Sequence, residues 1–155
     1  MPRKNKKLPR HLLVIRTSAM GDVAMLPHAL RALKEAYPEV KVTVATKSLF
    51  HPFFEGLDVG FLDIETRRTH RGIRGAIRFA REAAELKIDA VADMHNVLRS
   101  KMVRAALHLR GIPVSVIHKG RIEKYMRLGR GSEGVKPLKH TVIRYCDVFL
   151  SLIHI

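Results

Sequence analysis

Short β-branched apolar runs alternate along this chain with longer segments whose apolar residues recur every three or four positions. That alternation restricts the chain to a small set of layered folds. Residues 12–15 (Leu-Leu-Val-Ile), 40–44, 59–64, 88–93 and 114–117 have strand length and strand composition. Val23, Leu26, Leu30, Leu33 and Tyr37 mark a first helix, closed by Pro38. Pro27 is tolerable there only near the start, where a missing donor does little harm. Residues 48–55 predict a short helix entered near Pro52. Residues 72–86 predict a longer one, with Ile73, Ile77, Ala80 and Ala84 on its apolar side and Arg71, Arg74, Arg78 and Arg81 along another. Arg78–Glu82 and Arg81–Glu85 are spaced as i,i+4 ion pairs. Leu98, Met102, Ala105, Ala106 and Leu109 mark the next helix. Residues 121–128 are weakly helical, residues 129–134 form a flexible turn, and Thr141 opens a last helix through Tyr145, Cys146 and Phe149. The order β-α-β-α-β-α-β-α-β-α, with connections short enough for parallel crossovers, predicts an α/β fold: a doubly wound, Rossmann-like parallel sheet.

Ligands of such sheets sit outside the carboxyl ends of the strands, which singles out residues 16–22, 93–100 and 118–124. Thr17-Ser-Ala-Met-Gly-Asp22 joins the first strand to the first helix. It is neither a G-x-G-x-x-G fingerprint nor a Walker loop, so the pattern gives no support for a dinucleotide or P-loop site. Gly21 permits a tight turn or a close backbone approach. Asp22 reads first as a helix N-cap. The same position also suits a general base, because the helix dipole favours its carboxylate form. His95 follows Asp93 at the end of the fourth strand, where hydrogen bonding to backbone is its plain reading. No second ligand has metal-binding spacing, so a metal site is rejected. Arg99 and Ser100, near a helix N-terminus, are candidate anion ligands. So are Lys119 and Arg121 in His118-Lys-Gly-Arg121, against the alternative of a solvated basic loop.

Composition narrows the partners. With 155 residues, 46% of them hydrophobic, one domain with a real core is expected. A lone Cys146 excludes a disulfide scaffold, and no apolar stretch reaches the ~20 residues of a membrane span. The net charge is +15, from 29 Lys and Arg against 14 Asp and Glu. Five positive charges and no acid lie in the first ten residues, so residues 1–11 read as a basic disordered tail. A further excess of ten lies between residues 99 and 144. An anionic partner follows: a phosphorylated ligand, a lipid surface or nucleic acid. Nucleic acid is disfavoured, because only 6% of residues are aromatic and no RNA-binding motif is present.

Ile15-Arg-Thr-Ser-Ala-Met-Gly-Asp-Val23, with Leu26-Pro-His-Ala-Leu30 and Leu33-Lys-Glu-Ala-Tyr-Pro38, resembles the opening of the lipopolysaccharide heptosyltransferase family, glycosyltransferase family nine. Asp89-Ala-Val-Ala-Asp-Met-His95 with Val97-Leu-Arg-Ser100 is similar to that family's fourth strand and loop. Lys119-Gly-Arg121 and Lys136-Pro-Leu-Lys-His-Thr-Val142 with Arg144-Tyr145 are similar to later segments of some members. The resemblance spans residues 12–149 and implies the amino-terminal, acceptor-binding half of a GT-B glycosyltransferase. It implies inverting transfer from an ADP-heptose-type nucleotide sugar to the lipopolysaccharide inner core, at the cytoplasmic face of the inner membrane. The family's catalytic aspartate maps onto Asp22, which would take the acceptor's hydroxyl proton. Thr17 and Ser18 would orient the acceptor, with Met20, Gly21, His95, Arg99, Ser100, Lys119 and Arg121 around it.

The resemblance implies no cofactor and no metal. Its partners would be a lipid-linked saccharide acceptor and the anionic inner-membrane surface, with a cytoplasmic, membrane-peripheral location. Members need two domains, and this chain has the length of one, so the donor-binding half is expected to be missing and the chain alone inactive. Residues 150–155 lack a polar stop. One back-translation, CTG-TCT-CTT-ATA-CAC-ATC, matches a transposon-end adaptor, so these six residues are expected to be non-native. A stand-alone basic module for anionic membrane or nucleic acid is the competing reading.

Overall fold

The computed structural model describes residues 8–65, 67–118 and 139–153. Residues 1–7 of the expected tail, the weak helix at 121–128, the turn at 129–134, and the candidates Lys119 and Arg121 lie outside the described residues. The elements in chain order are β1 (His11–Ile15), α1 (Met20–Ala36), β2 (Lys41–Thr46), a 3₁₀ helix (Ser48–Phe54), β3 (Gly60–Asp63), α2 (Gly72–Glu85), β4 (Ala90–Asp93), α3 (Leu98–His108), β5 (Val114–Val116) and α4 (Thr141–Ile153). Each strand falls within two residues of its predicted span, and residues 48–55 wind as a 3₁₀ helix.

The five strands form one parallel sheet in the order β3-β2-β1-β4-β5. β1 is buried along its full length, as the central strand of a doubly covered sheet must be. Its alternate residues serve opposite faces. Leu12 and Val14 join Val42, Val44, Ala90 and Ala92 beneath α1 and α4, where Leu26, Leu30, Tyr145 and Phe149 pack. Leu13 and Ile15 join Ala45 and Val91 beneath α2 and α3, where Phe79, Ala83, Val103 and Leu107 pack. The chain leaves β1 toward β2 on one side and, after β3, crosses back to β4 on the other. The carboxyl ends of β1 and β4 are therefore the switch point of the sheet, where the loops on either side diverge and leave room for a ligand.

Four expectations need correction. β1 begins at His11, which is buried, so the tail gives way to the sheet one residue before the expected boundary. Pro27 is not near a helix start: α1 begins at Met20, and Pro27 lies two turns inside it, buried. It withholds the N–H that would have bonded to the Val23 carbonyl. The apolar side of α2 is rotated from the predicted one. Gly75, Ala76, Phe79, Ala80 and Ala83 are buried, whereas Ile73 and Ile77 face solvent. Close approach selects the small residues, because a Cβ on Gly75 would lie 2.1 Å from the His70 backbone carbon. Finally, Arg78 pairs with Glu82 (Nε–Oε1 3.1 Å), but Arg81 and Glu85 form no ion pair and both stay exposed. α4 continues through residues 150–153, with Leu152 buried. Among the described residues no helix is long and apolar enough to cross a membrane.

Candidate active site

The loop after β1 and the loop after β4 meet at the switch point. Arg16, the first residue beyond β1, is only 6% exposed. Its backbone N–H continues the ladder to Ala45 (3.1 Å), which points its side chain beneath the loop. The guanidinium donates to the Met94 carbonyl and pairs with Asp22 Oδ2, so one buried cation ties both loops together. Its Nε is buried without a partner among the described residues.

Asp22 does not cap α1. Ala19 occupies the cap position with no side-chain bond, and Asp22 is the third helical residue. The cap reading fails because Arg16 captures the carboxylate first: a charge-assisted pair outcompetes a bond to a peptide N–H. Oδ2 is held, Oδ1 has no partner among the described residues, and the side chain is 44% exposed at the sheet's mouth. The peptide is anchored as well. The hydroxyl of Tyr145, a fully buried residue of α4, donates to the Asp22 carbonyl at 3.0 Å. Burial pushes the Tyr145 phenol up to about 12, with the Asp22 charge acting in the same direction and Arg16 against it.

Across the switch point, His95 contacts Thr17 and Ser18. Its Nδ1 accepts from the Thr17 N–H (3.2 Å) and lies 2.8 Å from the Thr17 hydroxyl, and Nε2 is 3.4 Å from the Ser18 hydroxyl. A backbone donor on Nδ1 places the ring proton of the neutral imidazole on Nε2, facing Ser18. Asp93, fully buried at the end of β4, builds the loop beneath. Its Oδ1 accepts from the N–H groups of His95 (2.9 Å) and Asn96 (2.8 Å), and its Oδ2 from Arg104 (3.3 Å).

The other candidates divide. Met20 and Gly21 stand exposed at the rim. Arg99 is half-buried and borders a small cavity with Thr17 and His95, its floor made by Ile15, Ala76, Phe79 and Val103. Ser100 borders the same cavity, but it is buried and its hydroxyl turns back on Val97 (3.0 Å), closing the first turn of α3. His118 is exposed, and its carbonyl accepts from Arg144 (3.4 Å). Sequence reasoning gave no role to Arg16, Asp93, Arg104 or Tyr145. Only Arg16 carried a signal, as a cation placed directly at the end of an apolar strand.

The switch point thus carries a half-exposed carboxylate with one oxygen fixed by Arg16, and a Thr17–Ser18–His95 cluster whose Thr17 and His95 border the apolar cavity. No protein-family model matches the sequence, and the search of curated proteins found no match. Solved structures do match. A family-nine glycosyltransferase from Veillonella parvula is 16% identical with a TM-score of 0.68, over 92% of this chain and 41% of that one. Heptosyltransferase WaaC of E. coli, solved with ADP, is 22% identical with a TM-score of 0.62, over 92% of this chain and 46% of that one. E. coli ADP-heptose lps heptosyltransferase II is 20% identical with a TM-score of 0.61, over 90% of this chain and 40% of that one. The fold is that of one half of a GT-B glycosyltransferase. The chain spans less than half the length of each of these structures. Thr17, Ser18 and His95 in the loops and Asp22 in the first turn of α1 all lie at the carboxyl edge of the sheet, the edge from which Rossmann-like folds reach their ligands.

Proposed function

We propose that this chain is the acceptor-binding half of an inverting glycosyltransferase that moves heptose from ADP-heptose to the lipopolysaccharide inner core. Asp22 is its general base. The observation carrying this reading is the mounting of Asp22: Arg16 fixes Oδ2, Tyr145 holds the peptide, and Oδ1 is left to accept a proton. In the reaction Oδ1 takes the acceptor's hydroxyl proton while that oxygen attacks the anomeric carbon from the face opposite the nucleotide. The glycosidic bond's electron pair leaves with ADP, and the configuration inverts. The hydroxyls of Thr17 and Ser18, aligned by His95, orient the acceptor, and Met20, Gly21, Arg99 and Ser100 shape its surroundings. The likeness to heptosyltransferase structures supports the transferase reading.

Among the described residues no group of three His, Cys, Asp or Glu side chains could hold a metal ion. The acceptor is lipid-linked, so the enzyme works at the cytoplasmic face of the inner membrane.

Asp22→Asn in the full-length enzyme tests the assignment. The amide is nearly isosteric but takes no proton, so turnover falls by ~10²–10⁴-fold with acceptor binding nearly intact. Unchanged turnover would return Asp22 to a structural role. The chain alone is expected to bind no ADP-sugar stoichiometrically by calorimetry and to release no ADP, because transfer needs a donor held within ~3–3.5 Å of the acceptor oxygen. Steady ADP release by residues 1–155 would defeat the half-enzyme reading.

A further inference from the structure

We infer that the outward face of α2 is a docking surface for an anionic lipid bilayer. Ile73 and Ile77, one turn apart, are 68% and 46% exposed. Arg71, Arg74, Arg78 and Arg81 follow beside them at spacings of three and four, all exposed, along about 15 Å of helix. The opposite side of the helix is closed against the sheet by Gly75, Phe79 and Ala83. Two adjacent stripes therefore face solvent, one apolar and one cationic.

Nothing within the described residues accounts for either stripe. The first turn of α2 holds no acid, so Arg71 and Arg74 meet the positive end of the helix dipole without compensation. The first acid, Glu82, is already engaged by Arg78 and by His70 Nε2 (2.9 Å). Arg71, Arg74 and Arg81 have no acidic partner among the described residues. A bilayer meets both needs at once: lipid phosphates take the guanidinium groups while the isoleucines enter the boundary of the acyl chains. The phosphate backbone of a nucleic acid offers nothing to the isoleucines, so charge and apolar exposure together select the membrane.

The placement has a further consequence. α2 starts at the mouth of the sheet, and its inner residues Ala76 and Phe79 floor the cavity beside Thr17 and His95. One helix thus bounds the candidate site with its inner face and meets lipid with its outer face. The biological sense of the surface, bringing the site to a lipid-linked acceptor, rests on the transferase reading. The lipid contact itself does not, and it is measured without turnover.

The chain contains no tryptophan, so Ile77→Trp supplies a single reporter. With phosphatidylcholine vesicles containing phosphatidylglycerol, its emission shifts to the blue. With pure phosphatidylcholine, or with duplex DNA at matched salt, it does not. In co-sedimentation with the same anionic vesicles, Arg74→Gln with Arg81→Gln weakens binding about tenfold or more, and Ile73→Ser with Ile77→Ser weakens it by a similar factor. The isoleucine pair leaves DNA affinity unchanged. Circular dichroism of each variant confirms that these exposed changes leave the fold intact. Failure of the reporter to shift on anionic vesicles would overturn the assignment. So would an equal shift on DNA, or parental vesicle affinity in the arginine variant, which would place the lipid contact elsewhere on this basic chain. Loss of glycosyl transfer in Asp22→Asn with vesicle binding intact would leave the assignment standing, so the two proposals fail separately.

Discussion

The two ends of the sheet carry a similar set of side chains and use them in opposite ways. At the amino end, His11 is clasped on both ring nitrogens, by the Leu86 carbonyl at Nδ1 (2.9 Å) and the Thr43 hydroxyl at Nε2 (2.8 Å). A carbonyl on Nδ1 requires the proton there, so Nε2 accepts. Asp89 beside it accepts from the N–H groups of Arg10 and His11, both at 2.9 Å, and so satisfies the chain as it enters the sheet. At the carboxyl end the imidazole of His95 has the reverse tautomer, because a backbone donor occupies Nδ1. Asp22, tied to the same two loops through Arg16, keeps an oxygen open to solvent. The chemistry available to a His-Thr-Asp group is therefore set by which backbone groups reach it first. At the amino end the polar groups close on one another. At the carboxyl end they are held in place but leave sites for a ligand.

The comparison breaks most visibly if a change at one end behaves like a change at the other. The largest expected effect is that of Asp22→Asn on turnover, the ~10²–10⁴-fold loss, accompanied by a lower unfolding temperature because the buried Arg16 loses its counter-charge. At the amino end, Asp89→Ala orphans two backbone donors and costs about 1–3 kcal/mol. Thermal unfolding should fall by several degrees, with acceptor affinity in the full-length enzyme unchanged. A large loss of acceptor affinity from Asp89→Ala would erase the distinction between the ends.

Tyr145 sharpens the contrast, because it is a structural group inside the functional end. Tyr145→Phe removes one hydrogen bond and should cost about 1 kcal/mol. It should also remove an alkaline instability. The folded phenol titrates at about 12 and a free one near 10, so its contribution is complete below pH 10 and is lost as pH rises through 12. Denaturation midpoints measured between pH 9 and pH 11 should fall more steeply in the parent than in the variant.

Much of this fold could be read from the residues, and the reasons are local. A parallel strand buried on both faces must be apolar throughout, so residues 12–15 announced β1 directly. The face of α2 could not be read the same way. Its buried positions are small because the His70 backbone presses on Gly75, and a ranking by hydrophobicity puts the isoleucines on the wrong side. At the site, the position of Asp22 after a strand and a glycine was legible, but its mounting was not. Arg16 lies only six residues away, yet its contact depends on the loop's course. The Thr17–His95 and Asp22–Tyr145 contacts join residues 78 and 123 positions apart, which no periodicity encodes.

The smallest expected effect isolates the closed end. Burial lowers the pKa of His11, with Lys41 acting in the same direction and the Leu86 carbonyl and Asp89 opposing. The fold therefore prefers the neutral ring. Above the unfolded value near 6.5 both states are neutral and the preference costs nothing. As pH falls below 6.5 the unfolded chain takes up a proton that the folded chain resists, so stability declines until the folded ring titrates as well. The physical reason is visible in the clasp: protonating Nε2 would turn a donor toward the Thr43 hydroxyl, which must then rotate and give up its own bond. His11→Gln can keep a donor for the Leu86 carbonyl but has nothing to titrate. It should be less stable than the parent at pH 7.5 and should lose less on going to pH 5.5. Urea midpoints of the two proteins at those pH values measure the difference of differences. If both declined equally with acid, the acid sensitivity would belong to other groups, and the closed end would be tied down by Asp89 alone.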